Sequence, residues 1–497
     1  MTRRPARRAL AFVAALPLAA APLGAQPGAR VSDPAADGPR YAPAALNAQQ
    51  KLAREVYREL VEINTVDSVG STTRAAEAMA ARFRAAGFPA ADVQLLVPPG
   101  KPTKGNLVVR YPGRGGANAG KPILLLAHLD VVAANRADWP RDPFVLHEEN
   151  GYFLGRGVAD DKAMAAIFVA NLLRYKQEGW RPARDLVLAL TADEEGGDAN
   201  GVEYLVASHR ALVDAAYALN EGGGGVLMDG RPAMHSVQAA EKVPVNFTLT
   251  VTNPGGHSSV PRPDNAIYQL ADALGRLGRH QFPVALNAVT RPWLTETAKV
   301  ERPAVAAAMR ALAADPADSA AAALLSREPR YASTLRTSCV ATRLAGGHAY
   351  NALPQTATAN VNCRIVPTST ADEVRDEIAR TVADTGVRIT LTVPSRERFG
   401  VAPSAIDPGL LAAVTDLTRG TWGANVPVVP TMSTGATDGR FLRAVGVPTY
   451  GVSGIFSAPG ESNAHGRDEK LRVRSFYESL DFLDKLVRRV AGGAAAM

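Results

Sequence analysis

Cysteine is almost absent from the 497-residue chain: only Cys339 and Cys363 occur, too few for a disulfide framework or a thiolate zinc site. Both fall in strands predicted to be neighbours, so one bridge or two buried free thiols would fit. Aromatic residues make up 6%, and no Lys/Arg block or aromatic-interleaved basic stripe accompanies them, which excludes a nucleic-acid partner. Arg3, Arg4, Arg7 and Arg8 supply four charges of the formal +7, leaving +3 on the remainder. Long apolar runs are missing too. The candidate at 9–21 follows those arginines and precedes small residues, so it reads as a secretory signal cleaved after Ala21 or Ala25, with no membrane span afterwards. The mature chain is expected to be exported, periplasmic or extracellular in a bacterium. Neither Ser258 nor Ser433 sits in a Gly-x-Ser-x-Gly elbow, which disfavours a serine hydrolase.

What is present is apolar material for one large core and a smaller one, at 46% hydrophobic content. Residues 1–25 are read as the signal and 26–45, rich in Pro, Ala and Gly, as a linker. Leu52, Val56, Leu60 and Ile63 then form one helical stripe. Strands and helices alternate from there to about 240, which predicts an α/β domain: a mostly parallel sheet with helices on both faces. Near 241 the pattern changes. Val243, Val245, Phe247, Leu249 and Val251 alternate as a half-buried strand, opening a βαββαβ order over 241–396, a ferredoxin-like antiparallel unit inserted into the larger domain. An extra segment at about 283–332 is expected as added helices, and the large domain resumes over 397–497.

Chemistry-bearing residues collect at predicted strand ends. The apolar run 123–127 delivers His128 and Asp130, two residues apart and so on one side of a strand, which lets Asp130 orient the imidazole. Asp160 and Asp161 lie where a Gly-rich loop enters a helix. Taken singly, His128 could be a satisfied core histidine and Asp160 or Asp161 a helix cap. Asp193, Glu194 and Glu195 end another strand, and three adjacent carboxylates repel unless cations hold them. Glu221 follows the next strand, and His465 lies in a late loop. Two imidazoles and three carboxylates can fill two catalytic zinc sites only if one carboxylate bridges.

In these stretches, His128-Leu129-Asp130, Gly155 to Lys162, Asp193-Glu194-Glu195, Glu221-Gly222, Gly255-Gly256-His257-Ser258-Ser259 and His465, the chain resembles the dizinc carboxypeptidase/aminoacylase/succinyl-diaminopimelate desuccinylase family of metallopeptidases. Trp139-Pro140-Arg141-Asp142-Pro143-Phe144 and the enlarged insert bring it nearest the carboxypeptidase S and N-fatty-acyl-amino-acid hydrolase branch. Ala163 and Met164 depart from the glycine of many members.

The resemblance implies that His128 and Glu221 bind one Zn2+, Glu195 and His465 a second, and Asp160 bridges them, Co2+ or Mn2+ being other metals such a site takes. It implies Glu194 as general base, Asp130 as the residue orienting His128, and His257 on a lid domain as oxyanion donor, supplied in dimeric relatives by the partner subunit. Asn351 and Arg364 are candidate binders of a substrate carboxylate. The substrate would be a peptide, cut by a carboxypeptidase or dipeptidase, or an N-acyl amino acid; a non-catalytic peptide-binding protein is the alternative of another class. A homodimer through the lid would fit.

Overall fold

Six consecutive buried residues, Ile123–His128, form the strand on which the large sheet is centred. Burial on both faces needs parallel neighbours with helical cover. Leu186–Thr191 lies on one side and Tyr217–Asn220 on the other, both parallel. The computed structural model describes residues 37–116, 120–392 and 401–492. The expected signal (1–25), the linker up to residue 36, the 396/397 boundary and the last residue of the strand expected at 387–393 lie outside the described residues.

Among the described residues the large sheet has ten strands, parallel at its centre and antiparallel towards the Val93–Leu96 edge. Helix Lys162–Glu178 is buried on almost every side. It packs on the central strand and is covered in turn by Ala48–Glu62 and Val473–Ala491, so the unbroken apolar run from Ala163 to Ala170 is what a helix in the middle of a layer requires. No helix among the described residues is long and apolar enough to cross a membrane. The half-buried strand Arg231–Glu241, which periodicity does not reveal, extends the sheet by pairing with Gly224–Met228 and Val428–Ser433.

From Val243 the chain builds a separate four-stranded antiparallel sheet, in the order Ser338–Gly346, Thr356–Ile365, Val243–Thr252, Val387–Leu391. Helices Ala266–Arg279 and Ala371–Val382 cover one face, around a second hydrophobic cluster that includes Phe247, Leu270 and Ile378. This is the βαββαβ arrangement. The segment expected as an elaboration of that unit forms four helices, Thr290–Thr297, Pro303–Ala314, Ser319–Leu325 and Pro329–Leu335. They pack elsewhere: Trp293, Leu294, Met309 and Leu335 join a cluster with Val429 of the large sheet, because Val429 and Met234 offer an apolar face there.

Cys339 and Cys363 are direct cross-strand partners and are joined by a disulfide, which decides between bridge and free thiols. The bridge closes a sequence separation of 24 residues, and in the chain-entropy account such a loop stabilises by about 3 kcal/mol. The C339A/C363A double variant is therefore expected to unfold at lower denaturant, by about 3 kcal/mol in chemical denaturation, with its metal content unchanged.

Candidate metal centre

His128 is the last residue of the central strand and is buried. Its Nδ1 lies 3.0 Å from the Asp130 backbone carbonyl and 3.6 Å from the Asp130 carboxylate. That carboxylate also accepts the backbone N–H groups of Glu194 at 3.1 Å and Glu195 at 2.9 Å. Asp130 thus touches the imidazole and also pins the turn carrying two acidic side chains. Asp193 holds the same turn from behind: its backbone is left-handed, and its carboxylate pairs with the buried Lys104 at 2.6 Å.

Asp160 stands between the two imidazoles. Its Oδ1 is 3.0 Å from His128 Nε2 and its Oδ2 3.2 Å from His465 Nε2. His465 Nε2 is also 2.9 Å from Glu195 Oε1, and His128 Nε2 is 3.7 Å from Glu221 Oε2. Ligand atoms of His128, Asp160 and Glu195 lie within 4.8 Å of one another, as do those of His128, Glu194 and Glu221. Five segments distant in sequence therefore meet at one sheet edge, where open α/β sheets place their ligands. The Asp160–Asp161 peptide bond is cis. Asp161 is buried at the start of helix Lys162–Glu178, yet it makes no side-chain cap hydrogen bond and its Oδ2 has no partner. The helix-cap reading of these aspartates fails, since Asp160 faces the histidines and Asp161 is turned inward.

A residue without a role in the sequence reading organises the Asp160 loop. Glu469, fully buried, accepts the backbone N–H groups of Gly157 at 3.0 Å, Ala159 at 2.8 Å and Asp160 at 3.1 Å. It also pairs with Arg156 at 2.7 Å. Arg156 lies over the Trp139 ring and donates to the Gly466 carbonyl at 3.0 Å. The Arg156–Glu469 pair thereby ties the Asp160 loop to the His465 loop. Only its place in Glu461–Glu469 could have drawn attention to Glu469. Asp438 is the other omission. Buried beneath the cluster, it accepts from Thr191 Oγ1 at 3.1 Å and Asn200 Nδ2 at 2.6 Å.

Burial and carboxylate crowding shape the electrostatics. Burial and then Glu221 push Glu194 up to about 10, and burial followed by Asp160 raises Glu195 to about 7. Asp438 is also raised by burial to about 7. The hydrogen bond from His465 to Asp160 raises that histidine to about 9. Carboxyls that resist ionisation when crowded, with one carboxylate offering an oxygen to each imidazole, are a donor set matched to bound cations.

The remaining candidates lie outside this cluster. His257 is exposed in a two-stranded ribbon, Gly256–His257 with Ala352–Leu353, its Nδ1 2.7 Å from Ser259 Oγ. Asn351 adjoins the same ribbon, its carbonyl accepting from Ser258 N–H at 3.0 Å. Arg364 sits at the opposite end of strand Thr356–Ile365, opposite Pro244 and Ser338. The rise of an antiparallel strand puts Arg364 roughly 27 Å from the Thr356 end. Arg364 and Asn351 of one chain therefore cannot grip the same carboxylate.

Two imidazoles and a set of half-buried carboxylates at the carboxyl edge of a helix-covered parallel sheet define a hydrolytic α/β enzyme of the metallopeptidase type. The chain belongs to peptidase family M20/M25/M40, whose model matches residues 124–489. It is 29% identical over 389 residues to the N-fatty-acyl-amino acid synthase/hydrolase PM20D1 of Homo sapiens, covering 74% of each chain. It is 26% identical over 379 residues to aminoacylase-1A of Rattus norvegicus, covering 74% of this chain and 80% of that one. Among solved structures, the M20 family metallo-carboxypeptidase Sso-CP2 from Sulfolobus solfataricus shares the fold, with a TM-score of 0.65 and 17% identity over 89% of this chain and 99% of that one.

Two outcomes follow. Glu469→Ala is expected to weaken metal affinity by about 10–100-fold, as loss of outer-shell support does, with Glu469→Gln the milder; titration calorimetry with Zn2+ measures it. The pH dependence has a definite sign. In chelated protein, Glu195 and Asp438 rise on folding from 4.5 and 3.8 to about 7. Below their unfolded values they cost nothing, and above them the unfolded state ionises while the folded state does not. Chelated protein should lose thermal stability as pH rises from about 4 to about 7, and metal-loaded protein should lose far less.

Proposed function

We propose that this enzyme is a dinuclear metal-dependent amidohydrolase that cleaves the amide bond next to an amino acid, in a peptide or an N-acyl amino acid. The observation carrying this reading is Asp160 presenting one oxygen to each of two imidazoles, each with a further carboxylate beside it, Glu221 at His128 and Glu195 at His465. His128 and Glu221 would hold one ion, Glu195 and His465 the other, and Asp160 both; zinc suits these nitrogen and oxygen donors. When bound, such a pair supplies Lewis acidity at the amide carbonyl and an acidified water.

The chain's own residues do the rest. Glu194, its turn pinned by Asp130, takes a proton at a carboxylate oxygen and returns it to the departing amine nitrogen. Asp130 keeps the His128 tautomer, with Nε2 free to face Asp160. His257 is the candidate oxyanion donor. Ten residues of strand Val243–Thr252 run from the junction with the large sheet towards its ribbon, roughly 30 Å by strand rise, which favours delivery to a partner's site. The outer strand Ser338–Gly346 exposes Val340 and Leu344, a face suited to a homodimer. Arg364, at the junction end, is the better placed carboxylate partner, by its bidentate fork. Export through the signal at 1–25 completes the reading.

The relatives named for acyl-amino-acid chemistry support the N-acyl substrate, so the decisive experiment runs dipeptides beside N-acyl amino acids on zinc-loaded protein. Chelator-sensitive release of an amino acid is expected, together with about two metal ions per chain. Glu194→Gln should keep that metal content and lose about 10²–10⁴-fold in kcat. Full turnover in loaded Glu194→Gln protein removes Glu194 from the mechanism; turnover without metal refutes the metal centre.

A further inference from the structure

Beside the metal centre is a cavity of about 370 Å³ lined by Asp160, Asp161 and Glu221. A second, larger one of about 880 Å³ adjoins it between the large sheet and the helical segment 290–335. Gly223, Val226, Ser236, Arg330 and Pro459 line both, so the two form one continuous space leading away from the site. Gly223 keeps the joint open, since its φ is +65° and a Cβ there would run into the Gly451 carbonyl oxygen. Of the five residues at the joint, Arg330 alone is charged.

The larger cavity carries an excess of positive charge. Arg231, Lys299, Arg302 and Arg330 line it against two acids, Asp229 and Glu301. Several of these charges already have company within the chain. Lys299 pairs with Glu296 at 2.6 Å, Glu301 accepts from the Tyr331 hydroxyl, and Asp229 lies in the turn of the hairpin that carries Arg231. Arg302 and Arg330 are left over. Both are exposed, and among the described residues neither guanidinium makes an ion pair or a hydrogen bond. Arg330 stands at the joint, whereas Arg302 lines the larger cavity only. Trp293 and Met234 wall the same space, and a cleft of one sign with apolar walls focuses its field on an entering ion. The ion that fits a planar guanidinium fork is a carboxylate, held by two parallel hydrogen bonds.

We propose that this chamber is a subsite for an anionic group of the substrate remote from the scissile amide, gripped by Arg330 at the joint and by Arg302 farther in. This rests on the amidohydrolase reading above and adds to it: besides the carboxylate assigned to Arg364, the substrate carries an acid on the portion that leaves the metal centre through the joint. Arg330 is then a specificity-determining residue, supplied by a helix that contributes nothing to the metal cluster. The remote carboxylate has two sources, an acidic side chain in a peptide or the far end of a dicarboxylic acyl group. The bidentate chemistry is common to both.

The test compares probes matched in length on zinc-loaded protein. kcat/KM is measured for N-adipoyl-glycine against N-hexanoyl-glycine, with peptides carrying Glu against Gln on the amino side of the scissile bond as a second arm. Calorimetric binding of adipate and hexanoate runs alongside, since each offers one carboxylate to the metal pair and they differ only at the other end. A ratio of about 10–100 in favour of the acidic member is expected, the worth of a hydrogen bond to a charged group. Arg330→Gln should bring that ratio to within about threefold of one, and Arg330→Glu should invert it. Arg327→Gln, on the same segment but outside the lining, should keep it; thermal unfolding checks the fold of each variant. Where turnover is measurable, kcat/KM decides. A preference in either arm that Arg330→Gln abolishes supports the subsite and names its source. Ratios near one in both arms, or a preference that survives Arg330→Gln, overturn the subsite and leave amide hydrolysis standing. If nothing is turned over, the hydrolase reading fails and the affinities decide alone: adipate tighter than hexanoate in the parent protein and not in Arg330→Gln supports the subsite, and any other pattern overturns it.

Discussion

Carboxylates crowded out of water are the constraint around which this molecule is arranged. Asp160, Glu194, Glu195 and Glu221 converge on His128; the two imidazoles hold Asp160 ionised, while burial and mutual repulsion make the three glutamates resist ionisation unless a positive charge is shared among them. The fold overcomes that repulsion by tying the backbone beneath each acid. Asp130 binds the amides of Glu194 and Glu195, and Glu469 binds those of the Asp160 loop. Both are carboxylates, so the cluster is held by further acids whose charge goes to backbone N–H donors and, for Glu469, to Arg156.

The same economy governs the passage between the two sheets. Glu241 ends the large sheet and Lys242 begins the crossing, both buried. Glu241 pairs with Arg443 and accepts from Thr437 Oγ1 at 2.7 Å. Lys242 donates at 2.6 Å to the carbonyl of Arg336, just ahead of strand Ser338–Gly346, and burial lowers it to about 7. Buried charges are tolerated when their hydrogen bonds are satisfied, and here they bind the outgoing and returning chains to each other. The four-stranded unit thus leaves the large sheet through a narrow, polar, internally bonded neck.

Much of this was legible before any coordinates. The apolar run 123–127, the alternation from Val243 to Val251 and the apolar face of the alanine-rich segment each report a local period, and local period follows from which face a residue buries. The acidic and histidine residues stood out because like charges at a strand end need a reason. Strand Arg231–Glu241 was not legible, since its first half is half-buried and lacks alternation. Glu469 and Asp438 were not legible either, because an acid bonded to backbone amides looks in sequence like any loop acid. The separation of Asn351 from Arg364 follows from strand length and pairing, which motif spacing does not carry.

The sequence by itself determined the α/β class and the inserted βαββαβ unit, because each rests on short-range pattern, and it marked the acidic and histidine residues at the strand ends, whose roles only the family resemblance suggested. Only the tertiary structure decided that Asp160 faces both imidazoles while Asp161 turns inward, that the two cysteines are bridged, and that the helical segment packs on the large sheet to leave a chamber beside the site. Those are outcomes of which surfaces meet, and surfaces hundreds of residues apart in the chain meet only once the whole core has packed.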